Sequence, residues 1–244
     1  MGALLCLQCG TTVDSSPGSP AICPSCWGRN SLIPSIIREP NRGWARDITD
    51  IATADELVRR SYPVVKMGDQ FRQVVGDLGD HSSVLVTGEQ FCGKSSWVTC
   101  AAYDIAKRND WVAVYNSTEE ALGRSVGERL NRLEVRGDKF LVCCKTNLGG
   151  LLEVVRERGA NVLVIDSYSA SSRSEVDALA GFHQSAGVLL FVIVHSNRSG
   201  SYAGNSAIAH YVDTMLMLFR KDSVLNYDRS KSRFSDIGSG VLPV

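Results

Sequence analysis

Apolar residues fall into short continuous runs, separated by stretches long enough to form helices. The runs lie at 83–87, 111–115, 140–144, 162–166 and 188–194. A run that is apolar at nearly every position predicts a strand buried on both faces, the usual state of a parallel sheet. Residues 96–108 predict a helix after the first run, and helix-length segments separate the others. Alternation of strand and helix predicts an α/β domain with a mostly parallel, doubly wound central sheet. Leu122, Val126, Leu130 and Leu133 recur at helical spacing, which predicts a helix starting near Glu119 and Glu120 with these four in the core. Residues 70–75 predict a short helix leading into Gly76, packed ahead of the first core strand. Residues 30–61 show no strong periodicity and contain Pro34 and Pro40, with a short helix expected at 54–60. The chain divides on this reading into a small amino-terminal unit at 1–32, a linker at 33–63 and the main α/β domain at 64–244.

Composition sharpens the first of these units. Four of the eight cysteines, Cys6, Cys9, Cys23 and Cys26, form two C-x2-C knuckles on either side of a Gly, Ser and Pro-rich loop. Each knuckle brings two thiolates to one ion from a tight turn, and two knuckles complete a tetrahedral zinc site. A segment this short has too few apolar residues for a core of its own, so a structural Zn²⁺ is expected there. No apolar run approaches the roughly 18 residues of a membrane span. The first residues lack the basic and long apolar regions of a signal peptide, so a cytoplasmic setting without membrane contact is expected. Cys92, Cys100, Cys143 and Cys144 are expected as buried small hydrophobes. Lys and Arg number 26 and Asp and Glu number 26, so the net charge is zero. That balance excludes coating of nucleic acid by bulk charge, although a local basic stripe remains compatible with it.

The chemistry begins at Gly88. Gly88, Glu89, Gln90, Phe91, Cys92, Gly93, Lys94 and Ser95 match G-x4-G-K-[ST] without a gap, with Ser96 following. A strand precedes the loop and a helix follows, which is the context this motif needs. Its glycines permit close approach, and its amides together with the helix amino terminus cradle phosphate oxygens. Lys94 is then expected on the β- and γ-phosphates and Ser95 on Mg²⁺. Asp166 ends a buried strand, where it would support the Mg²⁺ shell or, more simply, cap the next turn. Glu119 follows another strand, on the ligand side of an open α/β sheet. From position alone it equally suits a water-orienting base and an acid at a helix amino terminus.

Taken together, these features resemble the RadA (Sms) branch of the RecA/DnaB-type ATPases. The knuckle followed by Trp27-Gly28-Arg29-Asn30 resembles that family's zinc finger and its exit. Met67-Gly68-Asp69-Gln70-Phe71-Arg72 resembles the segment ahead of its phosphate loop, and Tyr115-Asn116-Ser117-Thr118-Glu119-Glu120 its YVSGEE stretch. The segments from His195 to Gly204 and from His210 to Thr214 resemble GHVTKEG..AG and HMVDT. Lys231-Ser232-Arg233-Phe234-Ser235 resembles the KNRFG signature, with Ser232 and Ser235 replacing Asn and Gly. The phosphate loop reads GEQFCGKSS where the family has GEPGIGKST. The family's Lon-protease-like second domain has no counterpart in these 244 residues, so a short form is expected.

The resemblance implies a RecA-like fold and DNA-dependent hydrolysis of ATP with Mg²⁺. It implies movement on, or remodelling of, single-stranded or branched DNA in recombination, repair or replication, alongside recombinase or replication partners. It favours Glu119 as the catalytic base and Asn197 as a polar sensor at a strand end. It implies a homo-oligomeric ring, usually a hexamer, in which Lys231 and Arg233 reach a neighbour's γ-phosphate. Arg173, Arg198 and Tyr202 sit on loops that would face DNA in the pore, Arg neutralising phosphate and Tyr stacking on bases. His195, at the same strand end as Asn197, is expected as a packed or hydrogen-bonding residue and is not assigned to catalysis. A regulatory ATP-binding switch with little hydrolysis is the competing reading. A small-molecule kinase is a weaker one, since no lid-like segment is visible.

Overall fold

The computed structural model describes residues 2–6, 12–15, 32–34, 53–55, 63–168, 172–195 and 206–243. Near the amino terminus β1 (Gly2–Cys6), β2 (Thr12–Ser15) and β3 (Leu32–Pro34) pair antiparallel in the order β2-β1-β3. Cys6 is the last residue of β1, whereas Cys9, Cys23 and Cys26 lie outside the described residues, as does most of the expected linker. Of the helix expected at 54–60, Ala54 and Asp55 are helical and the remainder lies outside the described residues.

The main domain is built on one eight-stranded sheet. Its elements are α1 (Asp69–Val75), β4 (Ser83–Gly88), α2 (Lys94–Asn109), β5 (Ala113–Ser117), α3 (Arg124–Arg132), β6 (Phe140–Cys143), α4 (Leu148–Arg158) and β7 (Val162–Asp166). They continue with α5 (Arg173–Ala186), β8 (Leu189–Ile193), α6 (Ser206–Tyr211), β9 (Thr214–Lys221), β10 (Val224–Ser232) and β11 (Gly238–Val241). The strand order is β11-β10-β9-β4-β8-β7-β5-β6. The six strands from β9 to β6 run parallel, and β10 and β11 add antiparallel.

The continuous apolar runs are explained by two cores, one on each face. Val84, Val86, Tyr115, Val162, Val164, Phe191 and Ile193 pack on one face with residues of α1 and α2. Leu85, Val114, Leu163, Ile165, Leu190 and Val192 pack on the other with residues of α4, α5 and α6. Neighbouring residues of one strand therefore feed different cores, and the buried polar residues of these strands, Ser83, Thr87, Asn116 and Ser117 among them, lie towards the strand ends. Each fully buried Val, Leu or Ile contributes about 1.5–3 kcal/mol relative to exposure, so the central strands anchor everything attached to their ends.

The structure departs from expectation in four places. β6 is an edge strand and only half-buried, because no strand among the described residues pairs with its outer side. The helix expected from Glu119 begins instead at Arg124, after Gly123. β5 runs on to Ser117 and a loop at 118–123 follows, in which Leu122 is 56% exposed; of the four stripe residues only Val126 is buried. Cys144 is exposed and Cys100 and Cys143 are half-buried, so only Cys92 is the buried small residue expected. Finally, β9–β11 extend the sheet through a hairpin outside the expected strands, although residues 215–219 are themselves a continuous apolar run. Residues 214–219 alternate between buried and half-buried, the period of a strand covered more on one face. Asp222 and Ser223 both take positive φ, 50° and 65°, as a two-residue hairpin turn of the mirror-image type requires.

Candidate functional site

The parallel registers bring the carboxyl ends of four strands to one edge. Val86 pairs with Ile193, Ile193 with Asp166, and Asp166 with Ser117. The loops leaving these strands carry the phosphate loop, Glu119, Asp166, Ser167 and His195. They surround a cleft of about 1220 Å³. Thr118 and Ser167 stitch two of the loops together. The Thr118 hydroxyl donates to the Ser167 carbonyl at 2.7 Å, and the Ser167 amide donates to the Thr118 hydroxyl at 2.9 Å.

The phosphate loop has the conformation its glycines allow. A Cβ on Gly88, at φ 144°, would lie 2.0 Å from the Leu218 carbonyl oxygen of β9. Gly93, at φ 88°, caps the amino terminus of α2 in the left-handed region. Lys94 is 5% exposed, and its ammonium donates to the Gly88 carbonyl at 2.9 Å and the Glu89 carbonyl at 2.6 Å. A buried ammonium held by carbonyls of its own loop, beside the amides of a helix start, suits a polyphosphate that can replace those carbonyls. Cys92 is buried under the loop, and burial raises its thiol pKa. Phe91 takes φ 61° and is 94% exposed at the loop tip.

Glu119 is where the strand-end reading placed it, but it stands in the loop after β5 rather than in a helix. Ser167 donates its hydroxyl to Oε1 of Glu119, and Nε2 of His195 lies 2.8 Å from the same oxygen. Oε2 has no partner among the described residues. These donors, the Ser167 hydroxyl foremost, lower the Glu119 pKa against the opposing effect of burial, and Lys94 adds to the lowering. His195 is thus hydrogen-bonding, one of the two roles expected for it, and its partner is the candidate base. Its Nδ1 is buried with no hydrogen-bond partner among the described residues.

Beneath these residues lies a polar network. Tyr115 of β5 is 1% exposed and donates its hydroxyl to Oδ2 of Asp166. Arg129 of α3 donates to the same tyrosine oxygen at 3.2 Å, lies over its ring at 5.2 Å and pairs with Glu120 at 2.9 Å. Burial, then the negative Asp166, push the Tyr115 hydroxyl far above its usual pKa, while Arg129 and the Ser95 hydroxyl pull the other way. Tyr115 thus stays a protonated donor. Ser95 and Asp166 are hard oxygen donors gathered beside the phosphate cradle, and they fit a Mg²⁺ ion accompanying a nucleotide.

Sequence reasoning missed the basic wall of this cleft. Arg124, Arg129 and Arg132 of α3 and Arg220 at the end of β9 line it with Lys94, facing Glu119, Glu120 and Glu128. The signal was present: cations at helical spacing away from the apolar stripe, just after the strand that delivers Glu119.

Other expected residues lie elsewhere. Asn197, Arg198 and Tyr202 are outside the described residues. Arg173 begins α5, is exposed, and pairs with Asp177 at 2.9 Å. Lys231 and Arg233 are not in the cleft. Lys231 pairs in register with Met215, itself level with Leu85, which is three residues before Gly88 and about 10 Å back along the strand. Its ammonium donates to the Ala209 and His210 carbonyls of α6 at 2.8 and 3.0 Å, and burial, with Arg233 nearby, lowers its pKa. Arg233 pairs with Asp213 at 3.2 Å, and Asp213 accepts from the Ser83 amide and hydroxyl. Ser235 has a visible function, accepting from the Asp77 amide at 2.8 Å just after α1.

Fold and site define an α/β protein of the RecA-like, phosphate-loop type. The KaiC-like protein PH0186 of Pyrococcus horikoshii OT3 shares this fold, with a TM-score of 0.55 at 17% identity over 74% of this chain and 94% of that one. No family model matches the chain. In sequence it is similar to DNA repair protein RadA of Pseudomonas aeruginosa, 26% identical over 232 residues, which are 86% of this chain and 50% of that one. RadA of Chlamydia pneumoniae is 26% identical over 93% of this chain and 52% of its own length. RadA of Bacillus subtilis is 24% identical over 87% and 50%. The resemblance to RadA read from the motifs is borne out, and the chain spans about half the length of these relatives. Among the described residues no helix is long and apolar enough to cross a membrane.

Proposed function

We propose that this protein is a Mg²⁺-dependent ATPase of the RadA type that acts on single-stranded or branched DNA in repair, recombination or replication. The observation that supports this best is the meeting of Lys94, Ser95, Asp166 and Glu119 at the carboxyl ends of neighbouring parallel strands. Lys94 exchanges its two loop carbonyls for phosphate oxygens, and the loop amides from Gly88 to Ser96 complete the cradle. Ser95 and Asp166 would hold Mg²⁺, which would supply positive charge beside the phosphates. Glu119, with Oε2 free among the described residues, orients a water for attack on the γ-phosphorus. The bond to the bridging oxygen breaks, and ADP and phosphate leave. Its lowered pKa suits orientation of water more than strong proton abstraction.

Lys231 and Arg233 act on the nucleotide of a neighbouring subunit, because they lie away from the cleft of their own chain. That requires a closed homo-oligomer, a hexamer on the RadA resemblance. Arg173, Arg198, Tyr202 and the sensor Asn197 serve DNA and γ-phosphate contacts there. The four cysteines hold a structural Zn²⁺, and metal analysis finding much less than one zinc per chain rejects that part.

Steady-state ATPase assays with and without single-stranded DNA test the whole reading. Stimulation by DNA, and a rate lowered roughly 100-fold or more in Glu119→Gln, are expected. A rate that ignores DNA and is unchanged in Glu119→Gln turns the protein into a nucleotide-dependent switch instead.

A further inference from the structure

We propose that Tyr115 is a positioning residue for the metal shell: its hydroxyl, oriented by Arg129, holds one oxygen of the Asp166 carboxylate and leaves the other for Mg²⁺. The proposal rests on the nucleotide reading above and assigns a role to two residues outside the phosphate loop.

The argument starts from packing. Tyr115 is the central residue of β5 and among the largest fully buried side chains in the molecule. Its ring packs near Phe140, with centroids 6.4 Å apart, within the core formed under α1 and α2. Phenylalanine would fill that space equally well. The hydroxyl therefore adds nothing to packing, and a buried hydroxyl without a partner would destabilise the fold. It is placed instead on Asp166, itself only 9% exposed. A carboxylate at that depth also needs a donor, so each group satisfies the other.

Orientation needs the third member. A tyrosine hydroxyl can rotate its proton about the C–O bond, and Asp166 gains only if the proton points to it. Arg129 donates to the tyrosine oxygen at 3.2 Å and so takes up an acceptor position, which leaves the proton for Asp166. Arg129 is itself fixed. Its other arm pairs with Glu120 at 2.9 Å, its plane lies over the Tyr115 ring, and its side chain is 12% exposed. The α3 helix thereby reaches through Tyr115 to the strand end that carries Asp166.

The test measures binding of a fluorescent ADP analogue across a Mg²⁺ titration, for the whole chain and four variants. In Tyr115→Phe the affinity without Mg²⁺ should match the unaltered chain. The Mg²⁺ concentration for half-maximal enhancement should rise about tenfold, the worth of one charge-assisted hydrogen bond. Arg129→Met, which keeps the phenol but removes its orienting donor, should move the same way, and Arg129→Lys should recover part of the loss. Asp166→Asn sets the upper limit of the effect. Electron paramagnetic resonance of the Mn²⁺·ADP complex should broaden in Tyr115→Phe, which a purely structural tyrosine would not cause. The proposal is overturned if Asp166→Asn shifts the metal titration while Tyr115→Phe and Arg129→Met do not. If the unaltered chain binds the analogue but Asp166→Asn leaves the Mg²⁺ titration unchanged, this proposal falls alone; if the unaltered chain does not bind the analogue at any Mg²⁺ concentration, the nucleotide reading falls and takes this proposal with it.

Discussion

Phe91 shows a side chain placed where the backbone favours glycine. A residue other than glycine at φ 61° costs about 1 kcal/mol in the left-handed region, and RadA has glycine at that place in the loop. Phe91 buries nothing in return, since it is 94% exposed. Glu119 illustrates the opposite case, in which neighbours favour the charge. Its pKa is lowered chiefly by the Ser167 hydroxyl and then by His195. A carboxylate with a lowered folded pKa contributes stability at pH above the ordinary glutamate range and loses it as pH falls through the lowered value. The side chain is 56% exposed, so solvent keeps the contribution small. Removing the leading donor with Ser167→Ala should raise the midpoint of Glu119 in a carbon-detected NMR titration. A midpoint that stays in place would show that the hydroxyl does not set the charge.

Among the elements, β4 is the most constrained, because both ends of the phosphate loop depend on it. All six of its residues are buried and it lies between β8 and β9. Its last residue passes so close to the β9 backbone that a methyl group there would overlap the Leu218 carbonyl. Gly88→Ala should therefore destabilise the domain by about 3 kcal/mol, within the range of overpacked sites. Urea denaturation measures this directly, and a midpoint equal to that of the unaltered chain contradicts the close approach. The hairpin of β9 and β10 has a second function. It carries Arg220 into the cleft at one end and Lys231 to the carbonyls of α6 at the other. One element thus spans the sheet between the nucleotide side and the side that the ring reading assigns to a neighbour.

For the molecule as a whole, that separation predicts complementation. Lys94→Ala destroys the cradle but retains the fingers, and Arg233→Ala does the reverse. Each alone should be nearly inactive. Mixed in equal amounts and allowed to exchange subunits, they should regain ATPase activity above either parent, since some interfaces then combine an intact cradle with an intact finger. Activity that never exceeds the sum of the separate proteins excludes action between subunits. Zero net charge bears on the same scale. On the proposed ring reading, DNA affinity comes from a few cations per chain repeated around the assembly, so it should weaken steadily with salt.

What could be read from the chain alone was whatever depends on local order. The parallel core was legible because strands buried on both faces must be apolar throughout, and Val162–Asp166 matches its expected span. The phosphate loop was legible because the close approach at Gly88 leaves no room for a side chain and the positive φ at Gly93 favours glycine. Tertiary structure decided the rest. The helix stripe at Leu122 failed because a loop separates the end of β5 from the start of α3, and periodicity does not record where a strand lets go. His195 and Glu119 are 76 residues apart in sequence, and Tyr115 and Asp166 are 51 apart. Strand order, which no single segment encodes, makes them neighbours. A buried tyrosine looks like core in any sequence, and only its contact with Asp166 and Arg129 shows that its hydroxyl faces the chemistry.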